Sequence, residues 1–264
     1  MANNKKKILF IGCGNMGMAI LDAFMSSDIN LEYHVIDKNL EQNPALTLYQ
    51  NFNEIKIIPD IVLIAVKPQS LKEIKQNLQD ICNTSTLIIS VLAGTKCQTI
   101  ANIVGDDHKI TRVMPNIAAK NRNSTSSCFF NHNLLDDEKI FIINLIKKFG
   151  MCAVIDSEED MHISTIINGG AIAYFALIIK YIKESALTHS DSISEKEMKN
   201  LIYNTYQNLL ELDLNEDDII SKICSKAGTT EAVINELKKQ DLDKVIRNAI
   251  ASGVARSKEI EKIT

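Results

Sequence analysis

The sequence of 264 residues is poor in the residues that dominate fibrous and disordered chains. It contains 10 glycines and 4 prolines and has no low-complexity stretch, which excludes collagen-like, mucin-like and disordered classes. Charge of one sign is also scarce, because 29 Lys and Arg residues oppose 33 Asp and Glu residues for a net charge of −4, without a long block. We therefore expect neither a nucleic acid nor a membrane as a partner.

Cysteine pairs and long apolar runs are missing as well. The six cysteines are scattered singly, without a Cys-x-x-Cys motif or histidines at metal-ligand spacing, so we expect free core thiols and no metal site. The first apolar run, residues 8–11, is too short for a signal peptide, and the longest, residues 171–179, is about half of a membrane span. These absences predict a cytoplasmic protein.

Short apolar segments alternate with helical patterns over about the first 155 residues. Residues 61–66 are apolar throughout, which is typical of a parallel strand covered on both faces. The order predicts an α/β fold with a doubly wound Rossmann sheet over residues 1–157. Strands are predicted at 7–11, 32–36, 61–66, 86–91 and 110–113, with weaker candidates at 127–130 and 151–155. Helices are predicted at 14–24, 68–78 and 136–149, the last ended by Gly150 as a cap.

After residue 157 the strand patterns stop, and residues 158–264 are predicted to form an all-helical domain. Residues 160–186 have the pattern of one long helix that is apolar on nearly every side, so it must be buried. Ser194 and Glu197 fit a capping box that opens the next helix, and an apolar stripe follows from residue 241. Because few helices remain to enclose the apolar one, we predict a homodimer in which helices of two chains interleave.

A glycine motif lies directly after the first predicted strand and opens a helix. It consists of Gly12, Cys13, Gly14, Asn15, Met16 and Gly17. In a dinucleotide site the first glycine allows a tight turn, the second lets the backbone approach a pyrophosphate, and the third permits close helix-sheet packing. The helix N-terminus then offers free N–H groups to the phosphates. The alternative is an ordinary glycine-rich turn between a strand and a helix.

Two further positions belong to the same predicted crevice. Asp37 ends the second strand, where a carboxylate accepts hydrogen bonds from the adenosine ribose and favours NADH, while Lys38 would compensate a 2′-phosphate. NADH and NADPH both stay open. The segment Ala65-Val66-Lys67-Pro68 closes the apolar strand at its carboxyl end, where it offers a cation to the cofactor. A simple strand-to-helix stop explains Pro68 equally well.

Six motifs occur in order along the chain. They are Ile-Gly-Cys-Gly-Asn-Met-Gly at 11–17, Ala-Val-Lys-Pro-Gln at 65–69, Ala-Gly at 93–94, Arg-Val-Met-Pro-Asn at 112–116, Ser-x-x-Gly-Thr-Thr at 225–230, and a tail with Arg247, Ala249 and Ala-Arg-Ser at 255–257. Together they resemble pyrroline-5-carboxylate reductase, the last enzyme of proline biosynthesis, over essentially the whole chain. The resemblance implies a Rossmann domain, a helical dimerisation domain, NADPH or NADH as the hydride donor, 1-pyrroline-5-carboxylate as the substrate, and assemblies built from dimers.

The resemblance also implies roles for individual residues. Residues 12–17 and 65–68 match dinucleotide contacts, and Asn53 matches a contact to the adenosine half. Met114, Pro115 and Asn116 match a loop near the nicotinamide. The substrate carboxylate would be held by Ser225, Gly228, Thr229 and Thr230. Thr230 matches the active-site threonine, which reaches a partner's cofactor across the dimer.

The chain departs from the family at the substrate end. Lys226 and Ala227 replace a proline and a glycine, Ile117 and Ala118 replace Thr-Pro, and Ile172 replaces a proline in a Gly-Ser-Gly-Pro-Ala-Tyr segment. Two alternatives therefore stay open: a reductase of a related cyclic imine, and a non-catalytic dinucleotide-binding regulatory protein. The 3-hydroxyacid dehydrogenases are disfavoured, because the long helix lacks their lysine.

The residues can support imine reduction without a strong catalytic acid. A cyclic imine is readily protonated, so the protein has mainly to position two reactants. Amides before the helix pattern of residues 232–237 can take a carboxylate, and a threonine hydroxyl can bond the ring nitrogen. Alternatively, Thr229 or Thr230 only caps this helix. Lys226 either attracts an anion or is a solvated loop lysine.

Other titratable residues show no catalytic pattern. The five histidines share no triad spacing, and we expect His162 to be a core or interface residue. The acidic cluster of Asp156, Glu158, Glu159 and Asp160 is expected to be solvated at a helix start.

Overall fold

The computed structural model describes residues 5–41 and 43–263. Packing divides the chain into two compact units, residues 1–170 with 253–264, and residues 171–252. This division differs from the proposed boundary between residues 157 and 158. The start of the long helical stretch and the end of the chain belong to the first unit, because Met161 is buried there and Glu261 pairs with Arg112 of the sheet.

The first unit is built on one eight-stranded sheet. Its strands are β1 (Lys6–Ile11), β2 (Leu31–Ile36), β3 (Thr47–Tyr49), β4 (Ile61–Ile64), β5 (Leu87–Ser90), β6 (Lys109–Met114), β7 (Ser124–Phe130) and β8 (Gly150–Val154). The spatial order is β3-β2-β1-β4-β5-β6-β7-β8, and every neighbouring pair is parallel except β6 and β7. The predicted doubly wound sheet is therefore confirmed. The order reverses at β1, between β2 and β4, where open sheets of this kind bind ligands.

Helices cover the sheet and continue into the second unit. They are α1 (Asn15–Met25), α2 (Lys75–Ile81), α3 (Cys97–Val104), α4 (Asp136–Ile146), α5 (Met161–Ser164), α6 (Ala171–Leu187), α7 (Glu195–Glu211), α8 (Glu216–Ile223), α9 (Thr229–Lys239) and α10 (Leu242–Ile263). Short 3₁₀ helices lie at Phe52–Glu54, Pro68–Leu71, Ile117–Asn121 and Glu158–Asp160, and a π turn spans Thr165–Gly170.

Two apolar clusters form the core of the first unit, because successive residues of each strand point to opposite faces. Ile8 and Phe10 belong to one cluster, in which Phe10 meets Phe24 of α1 with ring centroids 6.1 Å apart. Leu9 and Ile11 belong to the other. The central strands thus have both faces buried, as their continuous apolar composition indicates.

Local geometry corrects several predicted boundaries. β4 ends at Ile64, so Ala65 and Val66 already belong to the loop. The predicted helix over residues 68–78 is a 3₁₀ turn followed by α2. Gly150 is no helix cap: α4 ends at Ile146, and Gly150 opens β8 with φ +148°, where a Cβ would lie 2.0 Å from the Ser124 carbonyl oxygen.

The second unit is helical, as predicted. The capping box of α7 is confirmed, because the Ser194 hydroxyl accepts the Glu197 N–H while the Glu197 carboxylate accepts the Ser194 N–H. Helical structure is continuous over Glu158–Leu187, and by length and composition alone this stretch could cross a membrane. Its second half, α6, leaves large apolar side chains exposed.

Candidate dinucleotide and substrate sites

The glycine motif forms the turn from β1 into α1. Gly12 has φ +86°, a left-handed conformation that favours glycine, and a Cβ there would lie 2.9 Å from the Val66 side chain. A Cβ on Gly17 would lie 2.5 Å from the Gly12 carbonyl oxygen, whereas nothing lies within 4 Å of the corresponding position on Gly14. The first and third glycines therefore serve packing, and the second leaves its backbone open to a ligand, which fits a bound pyrophosphate.

A cleft of about 580 Å³ opens beside this turn, at the carboxyl ends of β1, β2 and β4. Its lining includes Gly12, Gly14, Asp37, Lys38, Asn51, Phe52, Ala65, Val66, Lys67, Ser70 and Asn77. Six of the twelve predicted cofactor residues, Gly12, Gly14, Asp37, Ala65, Val66 and Lys67, thus line one cleft. Gln50, Asn51 and Asn77 also line it, although no sequence motif marks them, because Gln50 and Asn51 follow a three-residue strand and Asn77 lies on α2.

Asp37 is held by the backbone of the cleft. Its Oδ2 accepts the Cys13 N–H at 2.6 Å, and its Oδ1 accepts the Asn39 N–H at 2.8 Å. Each carboxylate oxygen has two lone pairs, so both can accept a further hydrogen bond from a ribose hydroxyl. The same carboxylate and the burial of Cys13 raise the pKa of that thiol to about 12, burial being the larger cause. Cys13 is therefore an inert part of the turn.

Lys67 and Pro68 follow β4 at the edge of the cleft. Pro68 begins the 3₁₀ turn Pro68–Leu71, as a simple stop signal would require. Lys67 is exposed and lines the cleft, so its ammonium is available to a phosphate. The structure is therefore compatible with both interpretations of this segment, a strand-to-helix stop at Pro68 and a cation for the cofactor at Lys67.

Asn53 lies apart from this cleft. It belongs to the 3₁₀ helix Phe52–Glu54 and lines a neighbouring depression of about 340 Å³, and its carbonyl accepts a hydrogen bond from Lys56 at 2.8 Å. Asn51, two residues earlier, lines the cleft itself. Its side chain donates to Glu54 at 3.1 Å.

The Met114-Pro115-Asn116 segment ends β6 and is buried. The Asn116 side chain accepts the Ala118 N–H at 3.0 Å and caps the 3₁₀ helix Ile117–Asn121, while its own N–H donates to the Ser124 hydroxyl at 3.0 Å. The next residue, Ile117, is 71% exposed. One of the departures from the family pattern therefore places a free apolar side chain directly beside this loop.

The Ser225–Thr230 segment lies in the second unit, between α8 and α9. Gly228 is the N-cap of α9 and makes no side-chain capping bond, so the alternative in which Thr229 or Thr230 caps the helix is wrong. Both threonines are exposed in the first turn, where backbone N–H groups have no carbonyl partner within the helix. The hydroxyls and the helix start are available to an anionic ligand.

The substituted part of this loop keeps a glycine-like conformation. Ala227 has φ +55°, which L-residues other than glycine adopt at a cost. Its N–H donates to the Glu231 carboxylate at 2.6 Å, and the Gly228 N–H donates to the Ser225 carbonyl at 2.9 Å. The loop is thus closed by its own hydrogen bonds although the family's glycine is missing.

Within the acidic cluster, Asp156, Glu159 and Asp160 are exposed, as expected, but Glu158 is bonded rather than solvated, which corrects the sequence expectation for that residue. Glu158 Oε1 accepts the Cys97 N–H at the start of α3, at 2.8 Å, and lies 3.3 Å from Arg112 Nη1. Arg112 is 1% exposed and also lies 3.5 Å from Glu261. The sequence could not show this pairing, because the partners are far apart along the chain.

His162 is a buried core residue, as expected, and its Nδ1 lies 2.9 Å from the Ser257 hydroxyl. Glu159, His162 and Glu261 lie close enough together to hold a metal ion. Lys96 already places its ammonium 3.0 Å from Glu159 and 3.1 Å from Glu261. Both carboxylates of the cluster therefore already have a cationic partner within the protein.

Comparison with known proteins gives two family matches along the chain. Residues 7–94 match a family described as NADP oxidoreductase, coenzyme F420-dependent, and residues 158–260 match pyrroline-5-carboxylate reductase dimerisation. The pyrroline-5-carboxylate reductase of Staphylococcus haemolyticus is 27% identical over 97% of this chain and 98% of its own length. That of Escherichia coli is 25% identical over 98% and 99%.

Solved structures agree. Plasmodium falciparum pyrroline carboxylate reductase with NADP bound has a TM-score of 0.85 and 25% identity, covering 99% of both chains. The Streptococcus pyogenes 1-pyrroline-5-carboxylate reductase has a TM-score of 0.83 and 25% identity, covering 97% of this chain and 100% of its own. By sequence and by fold, the chain is similar to pyrroline-5-carboxylate reductases over essentially its whole length, and residues 158–260 match the dimerisation family of these enzymes.

Proposed function

We propose that this protein reduces 1-pyrroline-5-carboxylate to L-proline with NADPH or NADH. The observation that carries the proposal is similarity to pyrroline-5-carboxylate reductases over essentially the full length of the chain. The cleft beside Gly12 and Gly14 supports it independently, because its shape and polar groups suit a dinucleotide. When bound, the reduced nicotinamide supplies the hydride for the C=N carbon.

The chain's own residues would hold the cofactor as follows. The open backbone at Gly14 and the N-terminus of α1 receive the pyrophosphate, and Lys67 adds a positive charge. Asp37 binds the ribose hydroxyls through the free lone pairs of its fixed carboxylate. Because a 2′-phosphate would approach this carboxylate, the arrangement favours NADH, with exposed Lys38 as the group that would admit NADPH.

Substrate binding is assigned to the loop before α9. The amides of the first helical turn take the carboxylate of the substrate, and Thr230 bonds the ring nitrogen. Met114, Pro115 and Asn116 border the nicotinamide. The imine is protonated in solution before it binds, so no side chain has to act as a strong acid, and catalysis consists mainly of positioning.

The active assembly is a homodimer in which Thr230 of one chain serves the cofactor of its partner, and dimers combine into larger assemblies. The dimerisation family match over residues 158–260 and the exposed apolar surface of the helical unit support the dimer. That surface also accounts for the apolar stretch Glu158–Leu187 without a membrane. We place the protein in the cytoplasm, where its six free cysteines stay reduced, and assign it no nucleic-acid partner.

A related cyclic imine is the second candidate substrate. Exposed Ile117 beside the Asn116 loop and the altered Lys226-Ala227 pair favour it, because the resemblance assigns both positions to substrate binding. The third candidate is a non-catalytic regulatory protein. It would bind the dinucleotide in the same cleft as a reductase but would not turn over a cyclic imine.

Steady-state assays of the purified chain with 1-pyrroline-5-carboxylate and each reduced cofactor separate these possibilities. We expect turnover, and we expect Thr230→Ala to lower kcat by at least 10-fold while the Kd of the cofactor stays unchanged. Tight cofactor binding without turnover of any cyclic imine would establish the regulatory alternative. Turnover of another cyclic imine, without turnover of 1-pyrroline-5-carboxylate, would show that the other imine is the substrate.

Asp37→Ser tests the cofactor assignment. Removing the carboxylate should weaken NADH binding relative to NADPH by roughly 10-fold, since about one charge-assisted hydrogen bond is lost. Cofactor titration by fluorescence measures both constants, with Lys38→Ala as the opposite variant, which should weaken NADPH alone. An unchanged ratio of the two constants in Asp37→Ser would remove Asp37 from the ribose site.

A further inference from the structure

Two cysteines face each other across the edge of the sheet. The Sγ atoms of Cys128 on β7 and Cys152 on β8 lie 3.3 Å apart. The register pairs Ser126 with Cys152 and Cys128 with Val154, so the two cysteines are diagonal neighbours on paired parallel strands. A disulfide has an S–S distance of about 2.05 Å, so the sulfurs need to approach by only about 1.3 Å.

The two thiols differ in access and in acidity. Cys128 is fully buried, whereas Cys152 is half-buried on β8, the edge strand of the sheet. The hydrogen bond between the two sulfurs lowers the pKa of Cys152, with a contribution from Lys147, while the same bond and burial raise the pKa of Cys128. Cys152, the more accessible sulfur and the one with the lowered pKa, is thus the sulfur that an oxidant reaches first, and Cys128 lies next to it.

We propose that Cys128 and Cys152 form a redox-modification site that a peroxide converts reversibly into an intrachain disulfide. The Cys152 thiolate attacks one oxygen of hydrogen peroxide, the O–O bond breaks, and a sulfenic acid forms as hydroxide leaves and takes up a proton to become water. The Cys128 sulfur then attacks the sulfenic sulfur, the S–O bond breaks, and the oxygen leaves as a second water. The two thiols lose two electrons and two protons to one peroxide, and a dithiol reductant reverses the change.

The site lies one strand away from the loop proposed to border the nicotinamide. In the register of β6 with β7, Cys128 pairs with Val113, and the adjacent Ser127 pairs with Met114. Ser127 also accepts a hydrogen bond from Asn168 at 2.7 Å. The proposal does not depend on the reductase activity, because its test detects a covalent bond.

The test uses the intact protein with a few equivalents of hydrogen peroxide, followed by alkylation, digestion without reductant and mass spectrometry. We expect a linked peptide pair containing residues 128 and 152, at least 10-fold more abundant than any other pair, that disappears after dithiothreitol. Oxidation of Cys152 to sulfinic acid without this link in the wild-type protein would overturn the proposal.

Two variants sharpen the result. In Cys152→Ser, the Cys128 thiol should react at least 10-fold more slowly than Cys152 does in the wild-type chain, because it is buried and lacks its partner. Cys82→Ser is the matched control: Cys82 is a buried thiol whose pKa is raised to about 12 by burial, and its loss should leave the Cys128–Cys152 link unchanged. Equally fast oxidation of Cys128 in Cys152→Ser would contradict the assigned order of the two thiols.

Discussion

Phe10 in the first unit is 0% exposed, whereas Phe175 in the second is 51% exposed. In the first unit, the apolar residues of the central strands are enclosed between the sheet and the helices of the same chain. The second unit leaves the apolar side chains of α6 and α7 on its surface, including those that line a groove of about 890 Å³. A surface of this kind marks a protein interface. The cofactor domain is complete within one chain, and the helical domain requires another.

The same contrast holds for charge. Arg112 of the first unit is buried between Glu158 and Glu261, while Arg247 of the second unit pairs with Asp243 at 3.0 Å in an exposed position. Removing one partner from a buried pair leaves a charge that the interior cannot solvate, whereas an exposed pair exchanges its partner for water. Equal substitutions should therefore have unequal effects in the two units.

Of the substitutions considered, Arg112→Met should have the largest effect on the free energy of unfolding. It leaves two partly buried carboxylates without their guanidinium and should lower the free energy of unfolding by about 3 kcal/mol. Arg247→Met, its matched control, should cost less than about 1 kcal/mol. Urea unfolding of both variants measures the difference, and equal midpoints for the two would contradict the structural role of the buried pair.

Phe175→Asp should break the assembly. A carboxylate in an apolar interface has no partner, so the Kd of the dimer should rise on the order of 100-fold, or about 2.7 kcal/mol. Ser185→Asp adds the same charge at an exposed polar position of α6 and should leave the Kd close to that of the wild-type chain. Sedimentation velocity over a dilution series measures both, and a Phe175→Asp dimer of unchanged stability would place the interface elsewhere.

Ala227→Gly should stabilise the helical unit. Ala227 occupies a left-handed conformation that costs an alanine about 1–2 kcal/mol, and a glycine there would avoid this cost. The greater conformational freedom of glycine in the unfolded chain offsets part of the gain in stability. A net increase of roughly 0.5–1 kcal/mol is expected. Ala232→Gly, in the adjacent helix α9, should shift stability by a similar amount in the opposite direction. Thermal unfolding of the two variants should thus give midpoints on either side of the wild-type value.

The smallest effect concerns acid stability. Burial raises the pKa of Glu138, but hydrogen bonds from Lys109 and from the Leu135 N–H outweigh it, and the net pKa lies below the ordinary value of 4.5. A carboxylate whose pKa is lowered by folding stabilises the folded state fully at pH values above its ordinary, unfolded-state pKa. This stabilisation is lost as the pH falls through the folded-state pKa.

Glu138→Gln should therefore be less stable than the wild-type chain at pH 7 by about 1 kcal/mol or less, with the difference shrinking toward pH 3. Glu197→Gln is the counterpart in the second unit, where the pKa of Glu197 is lowered by hydrogen bonds from Ser194 at an exposed helix start. Its pH dependence should be weaker. A difference for Glu138→Gln that grows as the pH falls would reverse the assigned sign.

The sequence predicted the sheet because its central strands are apolar on both faces and because the first of them leads directly into a glycine motif that opens a helix. It predicted Asp37 for a similar reason, since that residue ends a strand beside the turn. β3 escaped prediction because three residues are too few for a periodic signal. Gly150 was assigned to a helix end, whereas its real constraint is the close approach of Ser124 from another strand.

Contacts between distant positions explain the remaining differences. Glu158 meets Arg112, and Cys128 meets Cys152, only after the sheet has formed. Asn53 was expected at the adenosine half from the family resemblance, but it lies in the short 3₁₀ helix and lines the adjacent depression, while Asn51 lines the cleft. A single sequence contains no local pattern for these juxtapositions, because each depends on tertiary packing.

The reductase assignment is tested most directly by following the transferred hydrogen. The purified chain would be given 1-pyrroline-5-carboxylate with NADH or NADPH carrying deuterium at the transferable position of the nicotinamide, and the product analysed by mass spectrometry and NMR. We expect proline with one deuterium at the ring carbon that belonged to the C=N bond. Unlabelled proline, or no proline while the labelled cofactor stays bound, would contradict hydride transfer by this protein.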